Sequence, residues 1–403
     1  MAEYQVNRLS LTVWFATIGL GVAALLHTSE PILTILVGAV SISVAQIVTV
    51  PAPSGERLPL GVGVAVAVPL IVDDVGAVVA IYALGMAGSW VVFAFRRQER
   101  VMLLSRFVSE ALALAAFGGV FYGVEAIFHA NGQRGDWAQL LAVAAAGIAW
   151  YVVRAFLRSL VGFERDDISA RYLWLLALED WTAVVSLFVA GALFGFAWPV
   201  MGIWAIPVAV MPYAFSHLAF VRYHSTKVTY GQTIRALAQI PEVAGLAPSG
   251  HSARTSDLSL AVARELGMHP HEVAELEYAS LVHDIGRITL NEPAILRAGY
   301  TDEDIARWGA QIVAEAPHLE RVAELVRDQH RPYRRAGQER DPQLPLATKI
   351  IKVASAYDQG RYELGLPAVD ALEQIHRGSA YDFDPEVAAS LRRVLVHRGE
   401  VNA

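Results

Sequence analysis

Two textures of apolar residues divide the chain. From about residue 9 to 221, apolar stretches run on with little polar interruption, as in LTVWFATIGLGVAALL and VVAIYALGMAGSWVVFAF. From 222 onward, apolar positions recur at three- and four-residue steps among Arg, Glu and Asp, the period of helices that bury one face. A helix needs about 20 apolar residues to cross a bilayer core, which predicts roughly eight spans in the first half. They fall near 9–27, 31–50, 58–72, 75–95, 107–129, 137–159, 172–194 and 199–221. The third, LPLGVGVAVAVPLIV, is short and glycine-rich, so its boundaries are the least defined.

In the second half the period predicts helices over Ser256–Leu266 and Pro270–His283, the latter with a stripe of Val273, Leu276, Ala279 and Val282. Gly267, Gly286 and Pro293 punctuate them. No alternating strand pattern, solenoid repeat, P-loop or Rossmann glycine signature is present. Between the halves, VRYHSTKVTYGQTIRALAQ turns from apolar to amphipathic without a glycine-proline linker, so the last span is expected to continue as a helix. The expected fold is therefore all-α: a polytopic helical membrane domain over 1–221, a connecting helix over 222–240 and an all-helical cytosolic domain over 241–403.

Composition agrees with a membrane portion, since 55% of the 403 residues are hydrophobic and only 18% charged. The absence of cysteine excludes disulfides and thiolate metal sites. A net charge of -7 gives no reason to expect a nucleic-acid polymer as partner. The first apolar run leads into another rather than into a cleavage site, and is read as a retained anchor. With the second half in the cytoplasm, Arg8, Arg57, Arg96, Arg97, Arg100, Arg106, Arg154, Arg158, Arg165, Arg171, Arg222, Lys227 and Arg235 fall inside and Arg134 outside. That asymmetry predicts a multi-pass protein of the cell membrane with both termini cytoplasmic.

Ionisable residues inside the spans are costly and usually face the bundle interior. Glu179 and Asp180, in LWLLALEDWTAVV, are read as an interhelical polar contact or as a sensing site for a cation, proton or small ligand. Glu125 and His217 also lie inside spans, Asp73 and Asp74 are read as a solvated turn, and the density of Gly and Ala suits close helix packing.

The candidate chemistry centres on LVHDIGRITL, where His283 and Asp284 close a helix before a glycine, and on His251 in GHSAR thirty-two residues earlier. Imidazole and carboxylate together hold iron, manganese or zinc in sites that keep positions open for water. An aspartate bridging two cations can position hydroxide for attack on phosphorus.

The surrounding text resembles the HD-GYP branch of the HD metal-dependent phosphohydrolase superfamily over about residues 230–395. YGQTIRALAQIPEVAGLAPSGHSAR (230–254) is similar to the entry helix and GHSxR turn of that branch, and LVHDIGRITLNEPA (281–294) to its HDIGKI segment, with Arg287 for Lys. LPLATKII (344–351) is similar to IPLxARII, and FDPEV (383–387) to the closing FDPEV. The resemblance implies a divalent metal, most naturally iron or manganese, held by His251, His283, Asp284, His330 and Asp358, with Asp284 and Arg287 catalytic. It implies a cyclic dinucleotide or other nucleotide as ligand. The further partners expected are the lipid bilayer, a protein partner and a second copy of the chain.

Several family positions differ. Ile305, in IARWG, stands where the branch has a metal-binding His, with Gly309 keeping the register; its paired histidines are Gln329 and His330; GYP is replaced by Gly337, Gln338 and Glu339. VADxYDAL reads VASAYDQG (353–360), so the Asp that closes the metal site is Ser355, while Asp358 survives one turn on. Glu242 is read as a solvated loop acid or an additional oxygen ligand. These departures favour a membrane-anchored signalling protein whose degenerate domain binds a nucleotide or partner with little turnover. The alternative is an active cyclic di-GMP phosphodiesterase at the membrane, and a third class is a transporter with a cytosolic regulatory domain.

Overall fold

The computed structural model describes residues 2–52, 57–95, 100–132, 135–163, 169–292, 295, 299–335, 337, 339 and 341–402. Arg96, Arg97, Arg134, Arg165, Pro293 and Gln338 lie outside the described residues. The protein is mostly helical and divides into two compact units, residues 1–161 with 176–225, and residues 162–175 with 226–403.

In the first unit the helices are α1 (Ala2–Leu25), α2 (Ile32–Ile47), α3 (Gly61–Ile71), α4 (Val75–Phe95), α5 (Arg100–Ala130), α6 (Asp136–Phe163), α7 (Ala170–Glu179), α8 (Trp181–Met201) and α9 (Ala205–Ala238), α6, α7 and α9 running on into residues of the second. Among the described residues three helical stretches are long and apolar enough to cross a membrane by length and composition, Val108–Ala130, Trp137–Leu157 and Trp181–Val243. Shorter apolar segments lie in α1 to α4. The ends of the expected spans 31–50 and 58–72 are not helical: Thr49–Pro51 pairs antiparallel with Arg57–Pro59 in a two-stranded ladder that buries Val50 and Leu58. Proline at 51 and 59, lacking an N–H, suits a two-stranded edge and not a helix interior. The expected span 172–194 is broken at Asp180, and the next break comes at Gly202, whose φ of 56° is open to glycine.

Small residues let these helices approach closely. A Cβ on Gly191 of α8 would come within 2.2 Å of the Gly63 carbonyl on α3. Asp74 is no bare solvated acid, because it accepts from Thr28 Oγ1, Ser29 N and Ala77 N and so caps α4. Arg154, expected at the inner margin, is buried within α6, where its Nε lies 2.5 Å from Oε1 of the buried Glu110 and its guanidinium stacks over Trp150.

The second unit is a helical domain built on α10 (Ile240–Val243), α11 (His251–Glu265), α12 (Pro270–Val282), a 3-10 segment Ile285–Asn291, α13 (Asp302–Ala314), α14 (Glu320–Asp328), α15 (Leu346–Asp358), a π-turn Gln359–Glu363, α16 (Ala368–Arg377) and α17 (Pro385–His397). The stripe on α12 is buried, as its period required, and so are Leu258 and Val262 on α11, Ile350 and Ile351 on α15 and Leu391 on α17. Caps written in the sequence fix the ends: Thr301 and Asp304 form a capping box on α13, and Asp384 accepts from Glu386 N ahead of Pro385 on α17. α9 runs without interruption from Ala205 to Ala238 and covers the stretch expected to join the halves.

Candidate metal centre

α11 begins at His251 because two features fix the turn before it. Gly250 is left-handed at φ 75°, and the Glu242 carboxylate accepts from Gly250 N at 2.8 Å and Ser252 N at 3.1 Å. Glu242 is thereby a cap on the free N–H groups of α11, neither a solvated loop acid nor a spare oxygen ligand. α12 ends at Val282 and delivers His283 and Asp284 beside His251. The 3-10 turn that follows is possible because residue 286 is glycine: a Cβ there would lie 2.0 Å from the Ile305 carbonyl and 2.7 Å from Gly309 N. Ile305, buried at 4%, and Gly309 thus form the floor under the turn, with no ligating atom at position 305.

His251, His283 and Asp284 come together, with one ligand atom from each within 4.8 Å of the others, the one such group among the described residues. They are 1%, 1% and 3% exposed. The two Nε2 atoms stand 3.2 Å apart, and Asp284 Oδ2 lies 3.7 Å from that of His251 and 3.8 Å from that of His283. His283 Nδ1 is 2.8 Å from the Ser280 carbonyl, which can only accept, so that nitrogen carries the proton. His251 Nδ1 is 2.7 Å from Asp358 Oδ2. Burial works to raise the Asp358 carboxyl, but hydrogen bonds from His251 and Arg254 outweigh it and hold the group below the usual carboxylate range. It is ionised, and His251 donates to it through Nδ1.

In the neutral rings both Nε2 atoms therefore turn lone pairs toward each other. Asp284 adds a third acceptor: its Oδ2 is buried without a hydrogen-bond partner, while Oδ1 pairs with Arg287 Nε at 2.8 Å. Burial would raise this carboxyl, and His283 and Arg287 nonetheless hold it low. Burial also pushes the His283 imidazole below its ordinary value of 6.5, ahead of the opposing pull of Asp284. The one hydroxyl in the gap, Ser355 Oγ, lies 3.4 Å from each Nε2 and has a single proton to offer. Three converging acceptors served by so little donation fit a cation. Ligand atoms about 2.1 Å from a common metal stand about 3.0–3.4 Å apart; the two Nε2 atoms meet that spacing at 3.2 Å, and Asp284 Oδ2 stands farther off, at 3.7 and 3.8 Å.

The other candidates fall elsewhere. Asp358 is on the far side of the His251 ring from the three acceptors, with both oxygens engaged by Arg254 (Nε to Oδ1 2.6 Å, Nη2 to Oδ2 2.9 Å). His330 is outside the three-residue group; its carbonyl accepts from Lys352 Nζ at 3.1 Å. Gln329, in place of a histidine, donates Nε2 to the His283 carbonyl at 2.7 Å and so braces the end of α12. The sequence reading gave no role to Arg254 or Lys352. Arg254 was legible as the residue three after His251, on the same face of α11.

Residues 249–360 match the family described as HD domain. The chain is 25% identical over 179 residues to a cyclic di-GMP phosphodiesterase of Thermotoga maritima, covering 40% of this chain and 49% of that protein. It is 25% identical over 178 residues to 3'3'-cGAMP-specific phosphodiesterase 3 of Vibrio cholerae, covering 40% of this chain and 38% of that one. The chain thus spans about half the length, or less, of these curated relatives. Among solved structures, an HDG"Y"P protein from Bdellovibrio bacteriovorus matches with a TM-score of 0.30 and 16% identity, over 63% of this chain and 72% of that one. Over residues 249–360 the chain carries an HD domain.

Proposed function

We propose that the protein is a membrane-anchored, metal-dependent phosphohydrolase whose substrates are cyclic dinucleotide phosphodiesters. The observation that carries this reading is the convergence of His251 Nε2, His283 Nε2 and Asp284 Oδ2 in a buried pocket with no donor for the carboxylate oxygen. A divalent cation bound there supplies a Lewis acid and an acidified water for attack on phosphorus. The chain's own groups do the rest: Ser280 and Asp358 fix the tautomers of the two imidazoles, and Arg287 places a cation beside Asp284 where phosphate charge would enter. The curated relatives are named for cyclic di-GMP and 3'3'-cGAMP, both cyclic dinucleotides, which supports that substrate class.

Membrane anchoring is supported by the three long apolar stretches and by the exposure of large apolar side chains over 1–221, among them Leu33, Val200, Ile203, Trp204 and Phe215. So much apolar surface suits lipid and not water. In this reading the division remains 1–221 in the membrane and 241–403 in the cytoplasm.

A second reading, a domain that binds the nucleotide with little turnover, is favoured by Ser355 at the position of the closing Asp and by Arg287 occupying Oδ1 of Asp284, which leaves one oxygen for metal. The two are separated by incubating the purified full chain with manganese or ferrous iron and each cyclic dinucleotide, then resolving products by chromatography. A linear product that disappears in His283→Ala supports the hydrolase. Binding without product selects the second reading, and neither binding nor product sinks both.

A further inference from the structure

Asp358 invites reading as a displaced metal ligand, since it survives one turn beyond the missing aspartate. The geometry contradicts that. We propose instead that Arg254 and Asp358 form a positioning pair that aims His251 at the metal from behind. The inference rests on the metal-binding reading above and concerns the role of two residues within it.

The chain of contacts is complete and runs in one direction. Arg254 donates from Nε and Nη2 to the two oxygens of Asp358, a bidentate fork, while Nη1 donates to the Ser249 carbonyl at 3.0 Å. Its guanidinium is stacked over Tyr362 at 4.0 Å, on the π-turn directly after Asp358. Such a fork is geometrically strict, and the stacked ring keeps it in place. Asp358, 1% exposed, then accepts from His251 Nδ1 and leaves Nε2 as the free lone pair. A carboxylate on the remote nitrogen of a ligating histidine fixes the ring's tautomer and orientation and raises its basicity. The imidazole itself separates Asp358 from the other acceptors, and neither carboxylate oxygen is spare.

Helix geometry explains why positions 355 and 358 differ in role. Residues 355 and 358 lie one turn apart on α15, so both face α11, but at different heights. Ser355 reaches the Nε2 side of His251 and Asp358 the Nδ1 side.

The sign of one substitution separates positioning from ligation. If Asp358 were a ligand, Arg254 would compete with the cation for it, and Arg254→Ala would tighten metal binding. If Asp358 positions His251, removing Arg254 loosens the ring and weakens binding. Manganese affinity is measured on the full-length protein in detergent by following the free-ion electron paramagnetic resonance signal. Asp358→Ala is expected to weaken it by about 10–100-fold. Arg254→Ala should weaken it less, Arg254→Lys should recover part of that loss, and the double variant should bind no more weakly than Asp358→Ala alone. Helical circular dichroism of each variant must match the wild type, with Asp358→Asn standing in if Asp358→Ala does not fold. Tighter binding in Arg254→Ala, or unchanged binding in Asp358→Ala, overturns the positioning role while leaving the metal site in place. A wild-type chain that takes up no manganese overturns both.

Discussion

Arg287 holds one oxygen of Asp284 at 2.8 Å and leaves the other facing two imidazole lone pairs. A carboxylate that gives each of two cations its own oxygen uses both. With Oδ1 engaged by a guanidinium and the neighbouring positions occupied by Ile305 and Ser355, the pocket suits one metal. Arg287→Ala is expected to free Oδ1 and leave a buried carboxylate less compensated. Manganese should still bind through His251, His283 and Asp284, while hydrolysis, measured as linear product per enzyme, should fall by at least tenfold. Full activity in Arg287→Ala would remove its catalytic assignment.

Restoring the missing acid is the complementary change. Ser355 sits 3.4 Å from both Nε2 atoms, so a carboxylate at 355 would enter the coordination sphere without moving α15. Ser355→Asp alone is expected to raise manganese affinity by at least tenfold, as titration would show. Adding Gln329→His and Ile305→His should not help: Gln329 braces the His283 carbonyl, and Ile305 is sealed against the HD turn. Removing the Gln329 amide leaves a buried carbonyl unsatisfied, at a cost of about 1–3 kcal/mol.

Gly286→Ala should be severe, because the added methyl meets the Ile305 carbonyl at 2.0 Å. Backbone cannot yield there without separating the HD turn from α13. A loss of about 2–3 kcal/mol is expected, read as a lowered melting temperature together with loss of metal. A variant that melts and binds metal like the wild type would contradict the close approach.

The helices over Ser256–Leu266 and Pro270–His283 were legible because the apolar period sits in nearby residues. Val273, Leu276, Ala279 and Val282 announce their shared face, whereas the cap of Asp384 on α17 emerges only in the structure. His251, His283 and Asp284 were legible as a group from the resemblance, and the structure adds how their lone pairs converge. The role of Asp358 was not: spacing puts it on the face of Ser355 but cannot say which nitrogen of His251 it meets, since that depends on how α15 lies against α11. Nor was the pairing of Glu110 with Arg154, residues 44 apart joined only by helix packing. Hydrophobicity alone carried the spans 31–50 and 58–72 into the paired strands at Thr49–Pro51 and Arg57–Pro59.

Acid should uncouple α17 from α11. Burial would raise the Glu265 carboxyl, yet hydrogen bonds from Arg393 and Ser390 hold it below the ordinary glutamate value of 4.5. A depressed carboxylate contributes stability that is present above the unfolded value and is lost as pH falls through the folded one. Arg393→Ala should therefore melt lower than the wild type by about 1 kcal/mol or less at neutral pH, the pair being partly solvent-screened. That difference should shrink as pH drops below 4.5. A gap that persists at low pH would assign the effect to packing.

Membrane topology is tested by reporter fusions after Arg57, Asp136 and Arg235, expected to report inside, outside and inside. An outside result at Arg235 would place the HD domain on the wrong face and end the proposed orientation.

The central claim is that two imidazoles and one carboxylate oxygen hold a single divalent cation. Elemental analysis of the full-length protein, purified in detergent without added chelator, tests it most directly. One equivalent of iron or manganese per chain, lost in His283→Ala and in Asp284→Ala and retained in His330→Ala, is the expected result. No metal at all, or two tightly held ions per chain, would contradict the account.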